Sequence, residues 1–249
     1  TRKVMSHLRL KPWKCRTVFF DLEFYVPESS RKDTGLNYNP WDKKSKLIGG
    51  SFLSVNPEKN FSQTDLKNKN EIKSFWIWDY KTEKELLEAI YTFILNISDT
   101  VRKAHEGKHS SILCGIGITS SDVPVLFELF KRYQILSNAE AFIFQNELRT
   151  LDLSQLALMS FNCKSDYLYP KTKNDILNKF QHGKNFECGT SVWGLYEGKR
   201  FFEIENRVID EVMCTFFAYK SLLEEIRRFK ALESQEKKRV NGASRKNGL

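Results

Sequence analysis

Two acidic residues, Asp21 and Glu23, stand two apart inside the otherwise apolar run Val18-Phe-Phe-Asp-Leu-Glu-Phe24. Alternate residues of an extended strand point to the same side, so both carboxylates share one face. In apolar surroundings two like charges repel and lose hydration. A bound cation offsets both penalties, and hard carboxylate oxygens suit magnesium or manganese. Taken alone, an Asp-x-Glu pair also reads as the solvated face of an edge strand. Asp122 follows the apolar stretch 112–116 and opens a helical pattern, where strand ends carry functional groups and where an Asp also serves as a helix N-cap. Asp210 sits in Val208-Ile-Asp-Glu-Val212, off the face that the two valines share, so periodicity leaves its direction open.

The elements that must position these acids follow from pattern. Residues 17–26, rich in β-branched and aromatic side chains, read as a first strand, 47–55 as a second and 73–78 as a third. The polar, Gly- and Pro-containing stretch 27–46 reads as a loop. From Thr82 the period changes: Leu86, Leu87, Ile90, Phe93, Ile94 and Ile97 recur at helical spacing, and Thr82 with Glu85 fits a capping box. Residues 111–116 read as a buried fourth strand, 120–133 as a helix, 141–144 as a fifth strand and 153–161 as a short helix. The pattern over 162–198 is mixed. A last long helix is expected over about 205–232, followed by a basic, mobile tail at 233–249. Strands first, then strands alternating with helices, argue for one α/β domain with a mixed sheet over 16–232, behind a basic lead-in at 1–15.

Composition bounds the function. The chain has 249 residues, 41% of them hydrophobic, enough for a substantial core. Forty Lys and Arg against 31 Asp and Glu give a formal charge of +9, which favours polyanionic partners. No apolar stretch approaches the length of a membrane span, and the start lacks the pattern of a secretory signal. Five scattered cysteines offer neither a zinc pattern nor a disulfide framework, so a reducing, intracellular setting is expected, cytoplasmic or nucleoid-associated. Trp76 reads as core, while Trp78 and Trp193 read as core or as surfaces for unpaired bases.

The order of the acidic motifs resembles the ribonuclease-H-like DEDD exonuclease superfamily, which includes the proofreading domains of DNA polymerases. Val18-Phe-Phe-Asp-Leu-Glu23 resembles its first motif, 113–126 with the ending Asp-Val-Pro-Val-Leu its second, and 205–212 its third. The resemblance spans residues 16 to 230 and implies a mixed sheet of about five strands flanked by helices. It also implies two Mg2+ or Mn2+ ions held by Asp21, Glu23, Asp122 and Asp210, and a single-stranded DNA or RNA 3′ end as substrate. Hydrolysis would release nucleoside monophosphates by a two-metal mechanism.

The family places a His five residues before its last Asp, or a Tyr four before it, to activate the attacking water. Glu205 and Asn206 stand at those positions here. Glu205 is therefore the candidate base, and His182 a second one that also reads as an exposed loop histidine. Gly117 and Ser121 replace an Asn and an aromatic in the second motif. Two functional expectations result: a metal-dependent 3′-5′ exonuclease, or a catalytically degenerate nucleic-acid-binding or interaction module on the same fold.

Overall fold

The computed structural model describes residues 15–32, 38–56, 72–161, 171–181, 183 and 185–246. His182 and most of the basic lead-in lie outside these residues.

Five strands, β1 (Thr17–Tyr25), β2 (Lys46–Val55), β3 (Ile72–Trp76), β4 (Ile112–Gly115) and β5 (Arg149–Asp152), form one sheet in the order β3-β2-β1-β4-β5. β1 pairs antiparallel with β2 and parallel with β4, so the sheet is mixed and β1 is central. Seven α-helices accompany it among the described residues: α1 (Glu83–Ala104), α2 (Asp122–Arg132), α3 (Asn138–Glu147), α4 (Leu153–Leu156), α5 (Lys173–Phe180), α6 (Ser191–Glu197) and α7 (Phe201–Lys246). This is an α/β architecture consistent with a ribonuclease-H-like fold.

Strand alternation divides the core between two faces. Val18, Phe20 and Leu22 of β1 pack with Leu86, Leu87 and Ile90 of α1 and with Val123 and Leu126 of α2. Phe19, on the opposite face, packs with Ile176 and Leu177 of α5 and with Val212 and Phe216 of α7. Trp76 joins Ile204 and Val208 near the start of α7. The start of α1 follows the sequence signal, with the Thr82 side chain accepting the Glu85 N–H.

Two expectations change. Residues 141–144 are helical, not a strand: Ser137 and Glu140 form a reciprocal capping box, and Ala141 and Phe144, three apart, are the residues α3 buries. The fifth strand comes directly afterwards, at Arg149–Asp152. The segment expected as a tail from residue 233 continues α7 in helical form to Lys246. Among the described residues, no helix is long and apolar enough to cross a membrane.

Candidate metal centre

β1 carries Phe19, Asp21 and Glu23 on one face. Lower on that face, Phe19 meets the rings of Phe216 and Tyr219 at 5.2 and 5.3 Å. One step along β1 the apolar packing gives way to carboxylates, and Asp21 and Glu23 are both buried. β4 pairs with β1 only as far as Phe19, so the acids lie just past the end of a parallel strand pair. Such ends are where α/β sheets collect functional groups. On the other side, β2 passes close to the pair: Gly49 lies opposite Glu23, where the register slips. Gly49 has φ +142°, and a Cβ there would meet the Phe75 carbonyl oxygen at 2.2 Å, so only glycine fits this approach.

α7 supplies the third carboxylate, and it is Glu211 rather than Asp210. Asp210 is exposed. Glu211 is buried with 1% of its surface accessible, on the stripe Ile204, Val208, Glu211, Thr215, Ala218 and Leu222 that α7 presses against the sheet. Oxygen atoms of Asp21, Glu23 and Glu211 lie within 4.8 Å of one another. The spacing of three and four residues between members of that stripe is visible in the sequence and marks Glu211 as the inward acid.

Asp122 is the first residue of α2 and lines the same cleft, beside the three-carboxylate group. Because β4 ends at Gly115, the Leu22 N–H has no strand partner there, and Asp122 Oδ1 accepts it at 3.0 Å. Ser121 Oγ donates to the other oxygen at 2.5 Å. The loop leading to Asp122 is fixed by Asp152 at the end of β5. Its carboxylate accepts the N–H groups of Gly117 and Thr119 at 2.8 and 3.0 Å and the Thr119 hydroxyl at 2.6 Å. Gly117 turns this loop at φ +78°. Burial alone would raise the Asp152 carboxyl, but these hydrogen bonds outweigh it and hold it below the usual carboxylate range.

Two cations enter the cluster. Lys173 Nζ lies 2.9 Å from Asp21 Oδ1 and 2.5 Å from Glu211 Oε2. Arg207 Nε donates to Glu211 Oε1 at 2.8 Å, and its other nitrogens reach Ser191 Oγ and the Glu187 carbonyl. Burial, only partly offset by Lys173, pushes Asp21 well above the usual carboxylate range. Burial and the neighbouring Glu211 push Glu23 up to about 8. Glu211 goes the other way: burial would raise it, but Lys173, Arg207 and its hydrogen bonds hold it low. Burial also raises Asp122, against its hydrogen bonds and Lys173. The cleft over this cluster has a volume of about 530 Å³ and is walled by Ser121, Asn174, Cys188 and Arg207.

The structure thus brings Asp21, Glu23 and Asp122 to one cleft, replaces Asp210 by Glu211, and places Glu205 elsewhere. Glu205 accepts the Trp78 indole N–H at 3.0 Å, away from the cleft lining. Counted back from Glu211, the positions four and five earlier hold Arg207 and Asn206. Trp78 stacks between Trp76 and Phe201 at 5.1 and 4.2 Å, and Trp193 donates to the Phe24 carbonyl. Trp76 is buried, as expected of a core residue, while Trp78 and Trp193 are half-buried. Lys173 and Arg207 were not among the expected site residues. Lys173 lies within the stretch 162–198, whose pattern is mixed, and Arg207 stands out only once Glu211 is taken as the acid. No protein-family model matches the chain, and no curated protein is detectably similar to it.

Proposed function

We propose that the chain is a metal-dependent 3′-5′ exonuclease that hydrolyses phosphodiester bonds of single-stranded DNA or RNA. One observation carries the reading: oxygen atoms of three buried carboxylates from β1 and α7 lie within 4.8 Å of one another, and two of them, Asp21 and Glu23, line an open cleft with Glu211 behind them. The donor set fits magnesium or manganese, since all three ligands are hard oxygens. Their burial fits as well, because acids so far removed from water keep their protons unless a cation compensates them. Asp21, Glu23 and Glu211 would hold the ions, with Asp122 completing the set from the α2 side. The chemistry supplied at such a centre is activation of water and stabilisation of the leaving oxygen. Arg207 holds one oxygen of Glu211 and so orients the carboxylate; Asp122, tied to the Leu22 N–H, keeps the start of α2 against β1. The formal charge of +9 favours a polyanionic substrate.

A second reading, a degenerate nucleic-acid-binding module, is favoured by the ammonium and guanidinium that already sit on Glu211, and by Arg207 and Asn206 standing four and five residues before it in place of Tyr or His. An end-labelled single strand separates the two. With Mn2+ the exonuclease shortens it progressively and the Asp21→Ala variant leaves it whole; wild type that binds the strand but leaves both DNA and RNA intact sinks the first reading and selects the second.

A further inference from the structure

The acid cluster carries a cation of its own. Lys173 is the first residue of α5, whose entry is fixed by a reciprocal cap between Thr172 and Asp175. From that anchored backbone its side chain reaches across the cleft floor and donates to Asp21 and to Glu211, one from the sheet and one from α7. These two acids belong to the same tight group of ligand oxygens. The ammonium therefore bridges two carboxylates that a divalent ion would also bridge. Two cations this close inside a partly buried site repel strongly, so they exclude one another.

Arg207 is placed differently. It takes the other oxygen of Glu211 and is tied at the same time to Ser191 and to the Glu187 backbone. Lys173 ends in a compact point charge on a flexible stem, and 31% of its side chain is exposed to the cleft. Of the two cations, it is the one with room to leave.

Building on the reading of this cluster as a metal centre, we propose that Lys173 is an internal counter-ion that fills the cation position of the acids and is displaced into the cleft when a divalent ion binds. It then sets the metal concentration at which the site loads. Removing the ammonium should strengthen metal binding, the reverse of what loss of a ligand or of a structural contact does.

Calorimetric titration of the full chain with Mn2+ tests this. Lys173→Met should bind Mn2+ at least tenfold more tightly than wild type, and Lys173→Arg, which keeps the charge, should stay near wild type. A second measurement needs no variant. Reductive methylation of wild type, read by mass spectrometry, should label Lys173 several-fold faster at saturating Mn2+, with exposed Lys103 as the internal reference. If wild type binds Mn2+ while Lys173→Met binds no tighter and Lys173 labelling stays constant, the displacement is wrong and the metal centre stands. If neither wild type nor Lys173→Met binds Mn2+, the metal centre falls and the displacement falls with it.

Discussion

Asp210 and Glu211 are adjacent carboxylates with opposite surroundings, one in solvent and one 1% exposed against β1. Replacing each by its amide isolates the charge at nearly constant shape. Glu211→Gln should lower exonuclease activity at least about a hundredfold, as expected for loss of a group that acts on the transition state. Asp210→Asn should stay within about twofold; the opposite ranking in a strand-shortening assay would return the role to Asp210. Glu23 makes a pH-dependent prediction. Its carboxyl rises to about 8 through burial and Glu211, with Lys173 and Arg207 opposing and Asp122 adding to the rise. In the unfolded chain it ionises near its ordinary value of 4.5. Between those values the folded state keeps a proton that the unfolded state has released, so stability without metal falls as pH rises from about 5 to 8. Asp21 acts in the same direction. Urea midpoints should therefore be higher at the acidic end of that window, and Glu23→Gln should flatten the slope. A midpoint that climbs with pH would contradict the assignment.

At the scale of elements, the joint between β4, β5 and α2 rests on Asp152. Besides the three bonds from the Gly117–Thr119 turn, it accepts the Ser154 N–H and hydroxyl at 2.9 and 2.7 Å. Asp152→Ala removes a buried acceptor from five donors and should cost about 3 kcal/mol in urea unfolding. A loss under about 0.5 kcal/mol would mean that the turn holds itself. Much of this framework was legible in the sequence. The strands before residue 120 stand out because β-branched and aromatic residues cluster between polar loops, and the start of α1 because cap and period agree. The run Ala141-Phe-Ile-Phe144 misleads because four apolar residues carry no resolvable period; the Ser137–Glu140 cap was the better signal. Asp210 stands out because 205–212 resembles the third motif, whereas the apolar stripe of α7 passes through its neighbour. Lys173 could not be read at all, since its meeting with Asp21 spans 152 positions and depends on how α5 packs.

Across the whole molecule, α7 is the long strut. Its 46 residues extend roughly 70 Å at the usual helical rise, and residues 227–237 are exposed. Truncation after Arg228 should leave the thermal midpoint within about 2 °C of wild type, because residues 229–237 are exposed. A fall beyond about 5 °C would show that the distal helix packs. The charge of +9 predicts that single-strand affinity drops at least tenfold between about 50 and 200 mM salt. The site itself joins β1 to α7, the first strand and the last helix among the described residues, with Glu211 lying 190 positions after Asp21. During synthesis the N-terminal strands emerge long before α7. A ribosome-bound or prematurely stopped chain therefore holds Asp21 and Glu23 without their third partner, and the site closes only after α7 has been made. Under the proposed function, nuclease competence would wait for α7, and a fragment that ends before Glu211 would be harmless to the nucleic acid around it.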